Sequence, residues 1–146
     1  MTEIVARALA HWDMRGAEFR LIAKRENQVF RVDHAGQSYA MRLHRPNYRS
    51  DCELSSELTW MRAVARAGIS VPEPIVSASG DYLHHVGDYQ VDVLTWLNGH
   101  PLGSAGNRLE IKNSNRLFYR LGAQLAQLHV ECDEWYPPDN FVRPSW

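Results

Sequence analysis

The run Gln28-Val-Phe-Arg-Val-Asp-His-Ala-Gly-Gln-Ser-Tyr-Ala-Met-Arg-Leu-His44 decides the fold. Phe30 and Val32 alternate with polar neighbours, and Tyr39, Met41 and Leu43 then repeat the pattern, the period-two signature of strands with one buried face. Between them, Asp33-His-Ala-Gly36 has the chemistry of a tight hairpin, because glycine takes positive φ at no steric cost. Upstream, Phe19, Leu21 and Ala23 continue the alternation as a preceding strand. Further upstream, Ile4, Val5, Ala8, Leu9 and Trp12 recur at one-, three- and four-residue steps, predicting a short amphipathic helix over 2–12 that ends before Gly16.

Downstream, Pro46 and Asn47 stop the sheet. Ser50 with Glu53 three residues on has capping-box spacing, so a helix is expected to start there and run to about Ala67, with Gly68 as its stop. On that helix Leu54, Leu58 and Met61 form the apolar stripe. Val71-Pro-Glu-Pro74 is extended, since each proline pushes its predecessor out of helical space. Two further strands are expected near 82–85 and 89–96, joined through Gly87-Asp88. Residues 97–112, broken by Asn98-Gly99 and Pro101, are expected to be a linker. A last helix should begin near Ser114, carrying Leu117, Phe118, Leu121, Leu125 and Leu128. The pattern is α+β: a five-stranded antiparallel sheet with one long helix packed on a face, a linker and a C-terminal helix.

The 146 residues are 45% hydrophobic and 10% aromatic, ordinary globular composition with room for a real core. Sixteen Lys and Arg against 17 Asp and Glu leave a formal charge of -1, so no global polyanion-binding signal exists. The first third leans basic, but no basic face with interleaved aromatics is evident, and nucleic acid is not an expected partner. Cys52 and Cys132 stand far apart in no metal-binding spacing. The absence of a basic segment followed by an apolar run, and of any apolar stretch near ~18 residues, gives the expectation of a cytoplasmic protein with no membrane partner.

Glycine-rich phosphate loops, nucleophile elbows and H-E-x-x-H are missing. His84 and His85 adjoin in a strand and so face opposite ways, a poor arrangement for one metal. Two charges stand out by position. Arg42 lies on the expected third strand, opposite Met41 and Leu43, and Glu57 falls on the edge of the long helix's apolar stripe. They form either a buried pair between strand and helix or two solvated surface charges.

Arg25-Glu-Asn-Gln-Val-Phe-Arg-Val32, Tyr39-Ala-Met-Arg-Leu-His-Arg-Pro46, Ser56-Glu-Leu-Thr-Trp-Met61, Val71-Pro-Glu-Pro74 and Val93-Leu-Thr-Trp-Leu-Asn-Gly99 together resemble the aminoglycoside phosphotransferase-like kinases, which include choline and homoserine kinases and share the protein-kinase fold. The resemblance covers nearly the whole chain and favours the pair. It implies that Arg42 is the strand cation touching the α- and β-phosphates of ATP and that Glu57 orients it. It further implies that the loop of Arg25, Glu26, Asn27 and Gln28 covers the phosphates, and that Thr95, Trp96 and Leu97 form a hinge reading the adenine edge. Arginine in place of the lysine of protein kinases keeps the charge and adds a planar fork. The covering loop lacks a glycine-rich signature.

Kinases of this fold carry an H-x-D-x-x-x-x-N loop and a Mg²⁺-binding Asp in a second lobe. No such loop follows the last helix, and the only H-x-D is His11-Trp-Asp13, before the first strand. The expectation is therefore a protein-kinase-like N-lobe over 1–97, followed over 98–146 by the hinge linker and the start of a second lobe, cut shortly after Arg143-Pro-Ser-Trp146. No catalytic residue and no metal ligand is assigned within the chain. ATP and Mg²⁺ are the implied cofactors, and a small-molecule alcohol is the implied acceptor: choline, homoserine, an aminoglycoside, another antibiotic or a sugar. Alone, the chain is expected to be inactive and to self-associate through the apolar face of its last helix. A non-catalytic nucleotide-binding or protein-interaction module is the competing expectation.

Overall fold

The computed structural model describes residues 1–100, 103, 106 and 111–143. Five strands, β1 (Glu18–Lys24), β2 (Gln28–His34), β3 (Gln37–Leu43), β4 (His84–Val86) and β5 (Tyr89–Thr95), form one sheet with helices α1 (Thr2–Leu9), α2 (Asp51–Arg66) and α3 (Ser114–Glu134). The sheet order is β1-β2-β3-β5-β4, with every named pairing antiparallel. The α+β sequence pattern folds as expected.

The hairpin turn is tighter than four residues. His34 pairs with Gln37, so only Ala35 and Gly36 turn the chain, at φ of 49° and 76°. Positive φ at both central positions matches the strands' twist, and the cost of the left-handed conformation falls on Ala35. In β1 the register slips between Leu21 and Ala23: Leu21 pairs with Phe30 but Ala23 with Val29. The bulge undoes the expected alternation, since Ala23 now shares the Val29 side of the sheet, and Leu21 stays half exposed at the sheet's outer edge. The fourth strand is shorter than the alternation of 82–85 suggested and begins at His84.

One face of the sheet holds the main core. Phe30, Val32, Met41, Leu43, Val91 and Val93 pack there with Val5, Ala8, Leu9 and Trp12 from the N-terminal helix and the turn after it. The helix sealing this face is thus α1, while α2 lies toward the other face, where Arg42 emerges. The end of the first helix is also tied down by hydrogen bonds. Trp12 Nε1 donates to the Ile75 carbonyl at 2.8 Å, and Ala78 N to the His11 carbonyl at 2.9 Å. His11 stacks on His84 with ring centroids 4.2 Å apart, so the His11-Trp-Asp13 triplet is part of this packing. His84 and His85 do point apart, His84 inward against His11 and Trp12 and His85 outward to Asp51.

The capping box of α2 forms as its spacing requires: Ser50 accepts from Glu53 N, and Glu53 accepts from Ser50 N at 2.8 Å. Leu54, Leu58 and Val64 are its buried apolar residues; Met61, expected in the stripe, is only half buried. The Glu73–Ile75 segment runs beside the end of β5. Ile75 N donates to Val93 O and Thr95 N to Glu73 O, both at 2.8 Å.

The last helix begins at Ser114, but none of its residues is buried. Beyond it the chain returns to α2. Trp135 packs against Trp60 and Phe141, and Val142 N donates to Ser56 Oγ at 2.8 Å. Half of the expected linker over 97–112 and the final 144–146 lie outside the described residues.

Candidate functional site

Strand β3 alternates faces, and this alternation aims Met41 and Leu43 into the core and Arg42 the other way. From α2, Glu57 meets it: Arg42 Nη1 donates to Glu57 Oε1 at 2.6 Å. The pair that the family resemblance favoured over two solvated charges is formed. Its exposure is uneven, since the Arg42 side chain is 14% exposed and Glu57 46%.

A third charge lies deeper. Asp92 on β5 is in register with Arg42 and completely buried, and it takes the guanidinium in two parallel bonds. Arg42 Nε donates to Asp92 Oδ1 at 2.7 Å and Nη2 to Oδ2 at 2.8 Å. His44, the residue just past the end of β3 and buried, places Nε2 2.8 Å from the same Oδ2. Burial by itself would push the Asp92 carboxyl up, but the His44 hydrogen bond and then Arg42 hold it below the usual carboxylate range. Burial likewise opposes the charge on Arg42, yet Asp92 first and Glu57 second drive its pKa above the ordinary arginine value. The cation is permanently charged and held from two elements.

Asp92 was not among the residues singled out from the sequence, although a signal was there. Gln90-Val-Asp-Val-Leu94 is buried throughout. An acid inside such a strand demands a cation, and only the strand pairing identifies which one.

The same register places Val29, Ala40 and Leu94 on the Arg42 side, forming a small-residue and aliphatic surface next to the cation. Arg25, Glu26 and Asn27 form the short connection between β1 and β2, closed by Arg25 N donating to Asn27 O at 3.0 Å. Gln28, expected in that loop, instead opens β2 and pairs with both Lys24 and Leu43. Because Val29 pairs with Arg42 and Gln28 with Leu43, the loop starts two residues beyond the Arg42 position along the sheet. At the other end, Thr95 N and Oγ1 are both committed to Glu73, and Trp96 lies under the Arg31 guanidinium at 5.1 Å. Leu97 is exposed. The structure therefore joins Arg42 and Glu57 directly, and sets the 25–28 and 95–97 segments at opposite ends of the face from which Arg42 projects.

A second set of contacts orients α2. Asp51 in its first turn accepts from Gln90 Nε2 at 2.6 Å and meets His85 Nε2 at 2.9 Å, and these two partners hold its carboxyl below the usual range. Glu57 borders a cavity of about 240 Å³ that it shares with Trp60, Phe141 and Val142. Among the described residues no group of three or more His, Cys, Asp or Glu side chains is placed to hold a metal.

A five-stranded antiparallel sheet whose third strand carries a cation paired to a carboxylate on the following helix defines a protein-kinase-like N-terminal lobe. The model of the family described as "Phosphotransferase enzyme family" matches residues 18–139, and the chain belongs to that family. Amicoumacin kinase of Bacillus subtilis (strain 168) is 27% identical over 147 residues, which covers 99% of this chain and 43% of that protein. The solved structure of a microcompartment-associated aminopropanol kinase superposes with a TM-score of 0.77 at 26% identity, over 100% of this chain and 45% of that one. An amicoumacin kinase in complex with AMP-PNP, Ca²⁺ and Ami shares the fold with a TM-score of 0.83 at 21% identity, over 99% of this chain and 44% of that one. The chain spans less than half the length of these small-molecule kinases. No described helix is long and apolar enough to cross a membrane.

Proposed function

We propose that residues 1–97 are the ATP-binding lobe of a kinase that transfers the γ-phosphoryl group to the hydroxyl of a small molecule, and that 98–146 connect it to a second lobe. The observation that carries this reading is the Arg42–Glu57 ion pair at 2.6 Å, joining the third strand to the helix after it within the family-matched segment. ATP lies along the face of Val29, Ala40 and Arg42. Arg42 neutralises the α- and β-phosphates, Glu57 keeps the guanidinium aimed outward, and the loop of Arg25, Glu26 and Asn27, with Gln28 at its exit on β2, covers the phosphates. The adenine edge is read at Trp96 and Leu97, because the Thr95 N–H is already used by Glu73.

Mg²⁺ neutralises phosphate charge in reactions of this class. The described residues offer no three-ligand set for it, and no step is assigned to a metal held by this chain. An acceptor-orienting Asp is also absent from the assigned roles, so the chain alone binds Mg-ATP without turnover. The relatives' names support an amine- or antibiotic-type alcohol as acceptor. The unburied apolar residues of α3 support self-association of the isolated chain.

Calorimetric titration of Mg-ATP into the full chain tests the reading: saturable binding is expected, reduced at least about tenfold by Arg42→Gln. Equal binding by the variant would remove Arg42 from the site.

A further inference from the structure

We propose that Asp92 is a positioning residue that fixes the plane of Arg42 and makes arginine, rather than lysine, the cation this site requires. The inference rests on the nucleotide reading above. A guanidinium has five N–H donors in a rigid fork. Asp92 engages one on Nε and one on Nη2, and Glu57 engages one on Nη1. One N–H on each terminal nitrogen is left, and the parallel Nε and Nη2 bonds fix the plane in which those two lie. Two donors held in a set plane match a pair of oxygens on a polyphosphate.

A lysine at the same position could not reproduce this arrangement. Its ammonium is a single point, and bonding to buried Asp92 would hold it down at the sheet, away from an anion on the open face. Glu57 is nearly half exposed on α2, whereas Asp92 is completely buried in the central part of the sheet. Asp92 thus supplies the rigid half of the hold. His44 completes it, since its Nε2 occupies the Oδ2 side of the carboxylate and keeps that oxygen from rotating toward other donors.

The test uses the full 146-residue chain, titrated with Mg-ATP and, separately, with adenosine, which lacks phosphates. Asp92→Asn preserves the shape and removes the charge. Mg-ATP affinity should fall about tenfold while adenosine affinity stays within about twofold, and the variant should add nothing further in an Arg42→Gln background. Arg42→Lys should bind Mg-ATP as poorly as Arg42→Gln. If Arg42→Gln loses Mg-ATP but Asp92→Asn keeps it, or if Asp92→Asn weakens adenosine as much as ATP, the positioning role is overturned while the nucleotide reading stands. If Arg42→Gln binds Mg-ATP like the unmodified chain, the nucleotide reading fails and the proposal falls with it. Should Asp92→Asn not fold, Arg42→Lys decides alone: retained Mg-ATP affinity in that variant overturns the proposal.

Discussion

The sheet with α1 and the third helix are both amphipathic in sequence, yet they end in opposite states. Leu9, Met41, Leu43 and Val93 are essentially inaccessible in a core that the sheet and α1 build between them. In α3, Phe118 is 59% exposed, Leu121 40% and Leu125 56%, although they follow an equally regular helical spacing. Amphipathic spacing states that a face can be buried; burial itself needs a second surface within reach. The sheet has one in α1. The third helix meets the rest through its C-terminal half, where Gln127 donates to the Ala67 carbonyl, and just past its end, where Trp135 packs on Trp60.

The contrast can be broken by substitution. The largest effect is expected at Asp92→Ala, which strands the charge of Arg42 beside the sheet; removing one partner of a buried pair costs ~3–5 kcal/mol, read by denaturant unfolding. The same carboxylate predicts an acid limb. Its folded-state pKa lies below the ordinary 3.8, so its contribution is complete above that value and disappears as pH falls through the lower folded-state value. Asp92→Asn should flatten that part of the stability profile, and an unchanged acid limb would remove Asp92 as its source.

Core truncation comes next. Leu9→Ala should cost ~2–5 kcal/mol, whereas Leu125→Ala should change stability by no more than about 0.5 kcal/mol. Equal losses would mean that α3 is covered after all. Leu125→Gln sharpens the point from the other side, since it should lower self-association in sedimentation velocity without shifting the unfolding midpoint.

A smaller loss is expected at the start of α2. Ser50→Ala removes the side-chain cap and should cost ~1 kcal/mol. Glu57→Ala should likewise cost little, at most ~1 kcal/mol, because Glu57 is 46% exposed and Asp92 continues to hold the arginine. That ordering reverses what the sequence suggests, where Glu57 is the one visible partner and its loss appears to strand a buried charge. Its measurable consequence should instead be weaker Mg-ATP binding, and an Asp92-sized stability loss at Glu57 would contradict the division of labour between the two carboxylates.

Much of this was legible in one dimension. Period-two alternation in 28–44, the Ser50–Glu53 cap and Gly68 depend on neighbours a few residues apart, and each appears where local chemistry requires it. Alternation on a strand and the helical repeat assign Arg42 and Glu57 each to a face, and the family resemblance was what favoured them as a pair. The bulge between Leu21 and Ala23 was not, because an unpaired residue in a strand leaves the composition unchanged and only the partner strand reveals the slip. Asp92 escaped for a related reason: its partner is 50 residues away in sequence, and β5 lies beside β3 only because the sheet order carries the chain past α2 and β4. Tertiary structure alone also decided that α1, rather than the long helix, seals the core, and that the regular stripe of α3 stays open, since burial depends on which surfaces the whole chain brings into contact.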